Sequence, residues 1–131
     1  MAAVSTLSHL FPPTRPALIS YAAGDAVVIV IRGPLRSAAF PALHRLLLDA
    51  LGGGRRDLVL DLHQVSTIEP EALALLWGAL RGIRRRGVRL AGAGARPAVA
   101  PALEALGTGG LTLHGTIRAA LSGAQDANAR A

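Results

Sequence analysis

The amino-acid sequence predicts a single α/β domain in which a mixed β-sheet of about five strands packs against about four helices. Three observations support this prediction. The 131 residues suit one domain. Hydrophobic residues make up 51% of the chain and charged residues 17%, which favours a well-packed core over disorder. From residue 17 onward, strand-like and helix-like segments alternate, as they do when helices connect neighbouring strands.

The chain begins with a hairpin pattern. The segments "ALISYAA" (17–23) and "AVVIVIR" (26–32) are rich in β-branched residues and are separated by Gly-Asp, which favours a tight turn between two strands. Ser37 is then placed to cap a helix that the glycines of 52–54 end. The apolar residues that recur at helical spacing in this helix are Phe40, Leu43, Leu47 and Leu48.

The second half of the chain continues the alternation. "DLVLDL" (57–62) predicts a short buried strand. The next helix begins near Pro70 and ends near Arg86, with leucines and one isoleucine along one face. The elements predicted after it are a strand at 88–93, a helix at 96–107 with Pro97 as its first residue, a strand at 111–115 and a helix at 116–121.

The domain organisation follows from these elements. We expect a flexible arm at 1–16, the folded domain at 17–122 and a disordered tail at 123–131. The arm has no basic segment followed by an apolar one, unlike a signal peptide. No apolar run approaches the roughly 20 residues of a spanning helix. The sequence therefore predicts a cytoplasmic protein that does not insert into a membrane.

The net charge of +6 comes from arginine, because the chain has no lysine. Its densest cluster, "RGIRRRGVR" (81–89), is suited either to an anionic partner or, more simply, to the negative end of a helix dipole. Aromatic residues are only 3% of the chain, so stacking platforms for nucleic-acid bases are scarce and direct nucleic-acid binding is not expected.

Catalytic and cofactor motifs are missing from the sequence. There is no cysteine, and the histidines at 9, 44, 63 and 114 lack zinc-binding spacing. Asp61 and Glu69 flank one loop but have no nucleophile between them. Gly92 and Gly94 resemble part of a dinucleotide-binding fingerprint, yet the third glycine position is Pro97. We therefore predict neither enzyme activity, nor a metal site, nor a cofactor.

The segment from "LVLDLHQVSTIEPEALALL" to "ALEALG" resembles the STAS domain, the fold of the anti-sigma factor antagonists. The family's Asp-Leu-x-x-Val motif is matched by Asp61, Leu62 and Val65, and its following isoleucine by Ile68. Upstream, "VIVIRGPLR" is similar to the family's strand followed by Gly-x-Leu-Asp. The resemblance covers about residues 17–121.

The resemblance also implies a regulatory switch that this chain has changed. In the family, an Asp-Ser-x-Gly turn opens a helix, and a kinase that is also the anti-sigma factor phosphorylates the serine. Here the four positions are Glu69, Pro70, Glu71 and Ala72. Pro70 has no hydroxyl, while the two glutamates supply permanent negative charge. The family's aspartate after Gly-x-Leu is Arg36.

The resemblance thus implies a partner-binding module that lacks the usual phosphorylation site, with an ATPase-type serine kinase, the anti-sigma factor, as the expected partner. Ser66 and Thr67 are weak candidates for a substitute site. Whether the changed turn is an adaptation or a loss stays open. Two alternatives are an accessory subunit that docks on a membrane transporter and a nucleotide-binding sensor. The residues expected to contact a partner are Leu35, Arg36, Ser37, Glu69, Pro70, Glu71, Ala74, Gly78 and Arg81.

Overall fold

The structure of the chain, a computed structural model, describes residues 17–106 and 111–130. These residues form one five-stranded sheet and four α-helices, which confirms the predicted fold class. The strands are β1 (Leu18–Ala23), β2 (Ala26–Leu35), β3 (Asp57–Ile68), β4 (Arg89–Ala93) and β5 (Thr112–His114). The helices are α1 (Phe40–Gly52), α2 (Pro70–Arg85), α3 (Ala100–Leu106) and α4 (Ile117–Arg130), and a 3-10 turn, Ser37–Ala39, precedes α1.

The sheet has the strand order β1-β2-β3-β4-β5. β1 pairs with β2 in the antiparallel sense, as the Gly-Asp turn predicted. The remaining pairs are parallel. The sheet is therefore mixed, and the carboxyl ends of β2, β3, β4 and β5 lie along one edge.

Helices cover both faces of the sheet. On one face, alternate residues of β2 and β3, including Ile29 and Leu60, form the main core with α1, α2 and α3. On the other face a smaller core, which includes Val28 and Val59, packs against Ala120 of α4. Two-sided burial explains why the central strands are continuous apolar runs rather than alternating ones.

β2 and β3 extend further than predicted. We expected them to end at 32 and 62, but they end at Leu35 and Ile68 and stay paired through two register shifts. Gly33 lies at the second shift with φ +76°, a conformation that glycine adopts without steric penalty. Pro34 is tolerated because the pairing with β1 ends at Ile31, so no ladder bond to that strand is lost.

Three helix ends also differ from the prediction. Ser37 does not cap α1, because it is the first residue of the 3-10 turn that precedes the helix. The cap residue of that turn is Arg36. Pro97 does not begin a helix, because residues 97–99 form a turn and α3 starts at Ala100. α4 continues to Arg130 rather than ending at 121. The arm at 1–16 lies outside the described residues, and the division into arm, domain and tail stays a prediction.

The helices are too short or too polar to cross a bilayer. Among those the structure describes, none combines the length and the apolar character that a membrane span requires.

Candidate functional site

The residues that the sequence singles out converge at the carboxyl ends of β2 and β3. The two strands pair as far as Leu35 and Ile68, and the backbone N–H of Glu69 then donates to the Leu35 carbonyl oxygen at 3.0 Å. This bond places the start of α2 beside the 3-10 turn that follows β2. Ligands and partners of parallel sheets characteristically bind at this edge.

A second hydrogen bond links the two loops through a side chain. The backbone N–H of Ser37 donates to Oε1 of Glu69 at 2.7 Å, across 32 positions of sequence. A carboxylate that accepts a backbone N–H makes a charge-assisted bond, which is stronger than a neutral one. The Glu69 carboxylate thus stabilises the 3-10 turn that leads into α1 instead of capping its own helix. Sequence reasoning missed this bond, since nothing local predicts which loops meet.

The first turn of α2 combines proline with negative charge. Glu69 is the cap residue and has an extended backbone, with φ −64° and ψ 142°, and Pro70 follows as the first helical residue. The fixed φ of proline and its missing N–H are both compatible with this position. Glu71 places a further carboxylate in the first turn, where the helix dipole favours it. All three side chains are exposed.

One face of α2 is free of contacts with the core. Ala74, Gly78 and Arg81 are exposed, as predicted, while Leu76 and Leu80 on the opposite side are buried. A Cβ atom added to Gly78 would meet no atom within 4 Å. Leu75 is also 40% exposed on this side and was not among the predicted contact residues. These residues and the loop residues Arg36, Ser37, Glu69, Pro70 and Glu71 form a continuous candidate site, which we call the α2 surface.

The positions of three residues bear on the partner-binding and phosphorylation roles predicted for them. Leu35 is only 1% exposed, so its side chain packs in the core beneath the α2 surface, and its predicted contact with a partner stays a prediction. Ser66 is half-buried and Thr67 exposed, and both lie within β3 ahead of the turn. Their hydroxyls therefore lie ahead of the start of α2, the position at which the sequence resemblance predicts a phosphorylated serine.

A polar cluster that sequence reasoning missed joins the middle of β3 to the residues that follow β4. Nδ1 of His63 is 2.7 Å from Oδ1 of Asp61, which also accepts the His63 backbone N–H at 3.2 Å. Nε of Arg96 donates to the His63 carbonyl oxygen at 2.9 Å. The imidazole lies against Gly94, where an added Cβ would be 2.2 Å from Nε2. The i, i+2 spacing of Asp61 and His63 was the available signal, because it puts both side chains on one face of a strand.

Among the described residues, the candidate catalytic and metal-binding groups stay apart. Asp61 bonds to His63, whereas Glu69 bonds to Ser37, so the two carboxylates do not form a pair. Over residues 17–106 and 111–130, no three metal-binding side chains converge on one point.

Comparison with known proteins places this arrangement in a family. The family model described as "Mlab, STAS domain" matches residues 21–115, well over half of the chain. A search of curated proteins found no match.

Solved structures share the fold at low sequence identity. RsbS of Moorella thermoacetica, carrying a serine-to-glutamate substitution, has a TM-score of 0.73 and 21% identity, over 87% of this chain and 98% of that one. An anti-sigma factor antagonist from Mycobacterium paratuberculosis has a TM-score of 0.72 and 18% identity, over 86% and 98%. The phosphorylated form of the Bacillus cell fate determinant SpoIIAA has a TM-score of 0.62 and 17% identity, over 79% and 96%.

Proposed function

The chain belongs to the STAS domain family, and from this premise we propose that it is a regulatory protein-binding module of the anti-sigma factor antagonist type whose phosphorylation switch has been lost. The α2 surface is the proposed binding site. Solved structures of similar fold include an antagonist by name and SpoIIAA in a phosphorylated form, which supports a role of this class.

One observation carries the proposal, namely the state of the turn at the start of α2. Pro70 offers no oxygen to a kinase, and the neighbouring Glu69 carboxylate already accepts the Ser37 N–H at 2.7 Å. A phosphate added to a helix start is stabilised by free amide groups and by the dipole. In this chain the Glu69 carboxylate instead links the start of α2 permanently to the Ser37 N–H of the neighbouring 3-10 turn, so the geometry favours one fixed state of the surface over two interchangeable ones.

The proposed partner is a cytoplasmic anti-sigma factor of the ATPase-type serine kinase class. A nucleotide-sensing role is less favourable, because Glu69 and Glu71 would repel phosphate groups at this turn. A membrane transporter is the alternative partner, and the experiment below separates the two.

A pull-down with the tagged full chain, from native cytoplasm and from solubilised membranes, tests the proposal. We expect an ATPase-type serine kinase to be recovered equally with and without ATP. Recovery of transporter subunits instead would support the accessory-subunit alternative. ATP-dependent release of the kinase would contradict an unswitchable module.

The Pro70→Ser variant tests why the switch is absent. Serine restores a hydroxyl at the first position of α2, so the recovered kinase should phosphorylate the variant and then release it when ATP is added. The wild-type chain is the control and should stay bound. Mass spectrometry that finds phosphate on Ser66, Thr67 or Ser37 of the wild-type chain would overturn the proposal.

The Gly78→Arg variant tests where the partner binds. The position has space for a side chain on the protein's own side, so the fold should be retained while a close-packed partner is excluded. We expect at least about a hundredfold loss of affinity in a binding titration, the size of a hot-spot loss. Arg118→Gly, on α4 across the sheet, is a control for a general effect of substitution, and equal losses would move the interface elsewhere.

A further inference from the structure

Two arginine clusters that are distant in sequence meet at the end of the sheet opposite to the α2 surface. β3 and β4 are paired from Asp57 and Arg89 onward, and the backbone N–H of Arg89 donates to the Arg56 carbonyl oxygen at 2.8 Å. The last turn of α2 reaches the same end of the molecule, because only a short loop separates it from β4. The residues of this basic pole are Arg55, Arg56, Arg84, Arg85, Arg86 and Arg89.

Most of these guanidinium groups are available to solvent. Arg56, Arg84, Arg85 and Arg86 are exposed. Arg55 is half-buried and donates to the carbonyl oxygen of Gly24, which holds the β1–β2 turn.

The negative groups near this end do not balance the arginines. Asp25 in the β1–β2 turn and Asp49 in α1 are exposed, and Asp57, the register partner of Arg89, is buried. With Glu104 of α3, the helix that leads back towards the start of β5, four carboxylates stand against six arginines. The α2 dipole places only about half a negative charge at its end. The pole therefore keeps a positive field, although Arg84 and Arg85 also complement that dipole.

We infer that the basic pole is a docking surface for an anionic membrane. The arginines come from loops and a helix end and are spread over one end of the molecule. The described elements at this end are the starts of β3 and β4 and the last turn of α2, so the arginines form a spread surface rather than one helix of the kind that enters a major groove. Leu48, 47% exposed and one turn from the end of α1, adds an apolar side chain beside the charge.

The charge distribution also orients the molecule on a membrane. α2 has Glu69 and Glu71 at its start and Arg84 to Arg86 at its end, and its 16 residues separate the two groups by about 24 Å. A negative lipid surface attracts the arginine end more strongly than the opposite end, where Glu69 and Glu71 offset the charges of Arg36 and Arg81. The α2 surface then faces away from the lipid and stays open to its protein partner.

Co-sedimentation of the full chain with vesicles tests this inference. At low salt we expect binding to vesicles of phosphatidylglycerol and phosphatidylcholine and none to phosphatidylcholine alone. The Arg84→Gln/Arg85→Gln variant should bind roughly thirtyfold more weakly, since each arginine near an anionic surface is worth about fivefold. The matched Arg45→Gln/Arg118→Gln variant loses the same charge outside the pole and should change by less than about threefold.

The outcomes separate a specific surface from general electrostatics. Equal weakening of both variants would overturn the inference, because net charge alone would then account for binding. No binding to phosphatidylglycerol vesicles, or tighter binding to a short DNA duplex than to vesicles, would also overturn it. Thermal melting of each variant shows whether the fold is retained, and none of these readouts depends on a protein partner.

Discussion

Gly94 and His63 illustrate how single residues decide the local structure of this protein. Gly94 has φ +73°, and the His63 ring occupies the space where a side chain would lie. The ring is held there by the Asp61 carboxylate, so the bond and the glycine depend on each other. The middle of β3 and the residue that follows β4 are therefore held together by close contact as well as by strand pairing.

The Gly94→Ala variant should lose about 1–2 kcal/mol of unfolding free energy for its disfavoured backbone conformation. A smaller steric loss should add to this, because the His63 ring that the methyl group meets is 45% exposed and can move. Gly78→Ala is the matched control and should gain about 0.5–1 kcal/mol, because alanine is the better helix former and has room there. Urea denaturation measures both values. Adding His63→Ala to Gly94→Ala should recover the steric part of the loss, and no recovery would mean that the ring is not what the methyl group meets.

Glu69 and Glu71 differ in what each contributes to stability. Both are exposed acidic residues at the start of α2, but only Glu69 bonds to the Ser37 N–H. Glu69→Ala should therefore destabilise the chain by about 1 kcal/mol, like the loss of a helix cap, and Glu71→Ala by a few tenths. Denaturant midpoints of the two variants check this. Equal midpoints would show that the link between the loops does not contribute to stability.

α2 is the element on which fold and proposed function meet. Ala72, Leu76, Leu80 and Ile83 are buried along one face, whereas Ala74, Leu75 and Gly78 are exposed on the other. The buried face anchors the helix to the sheet. The exposed face can therefore change without loss of the fold, as a binding surface requires.

Substitution of two adjacent leucines tests the division of α2 into a buried and an exposed face. Leu76 is 1% exposed, so Leu76→Ala should lower the unfolding free energy by about 2–5 kcal/mol through lost burial and a cavity. Leu75 is 40% exposed, and Leu75→Ala should lower it by less than about 1 kcal/mol. In partner binding the order should reverse, with Leu75→Ala the more damaging once each variant is compared in its folded state. Partner affinity unaffected by Leu75→Ala would remove that residue from the interface.

At the scale of the whole molecule, the two proposed surfaces lie at opposite ends of the sheet. The α2 surface lies at the carboxyl ends of β2 and β3, and the basic pole lies where β3 and β4 begin. Sites with no shared residues are expected to respond independently to substitution.

We therefore expect Arg84→Gln/Arg85→Gln to leave partner affinity within about twofold of the wild-type value, and Gly78→Arg to leave vesicle binding equally unchanged. Titration of each variant against both ligands gives the four affinities needed. A variant that weakens both would show that the two ends are coupled or that one ligand spans them.

Local patterns in the sequence were sufficient to predict the order of strands and helices along the chain, the β1–β2 hairpin and the start of α2. Apolar periodicity and turn residues are properties of short segments, and they act before any long-range contact forms. The family resemblance likewise depended on spacing within such segments, and the match over 21–115 confirms it.

Long-range contacts decided where the central strands end and which loops meet. Pairing with each other extends β2 and β3 to Leu35 and Ile68, beyond the ends that their own residues suggest. Glu69 meets Ser37, and Arg56 meets Arg89, only because parallel pairing brings distant loops to a common edge. Hydrogen bonds and charge clusters of this kind depend on which strand ends and loops become neighbours, and that is a property of the assembled sheet.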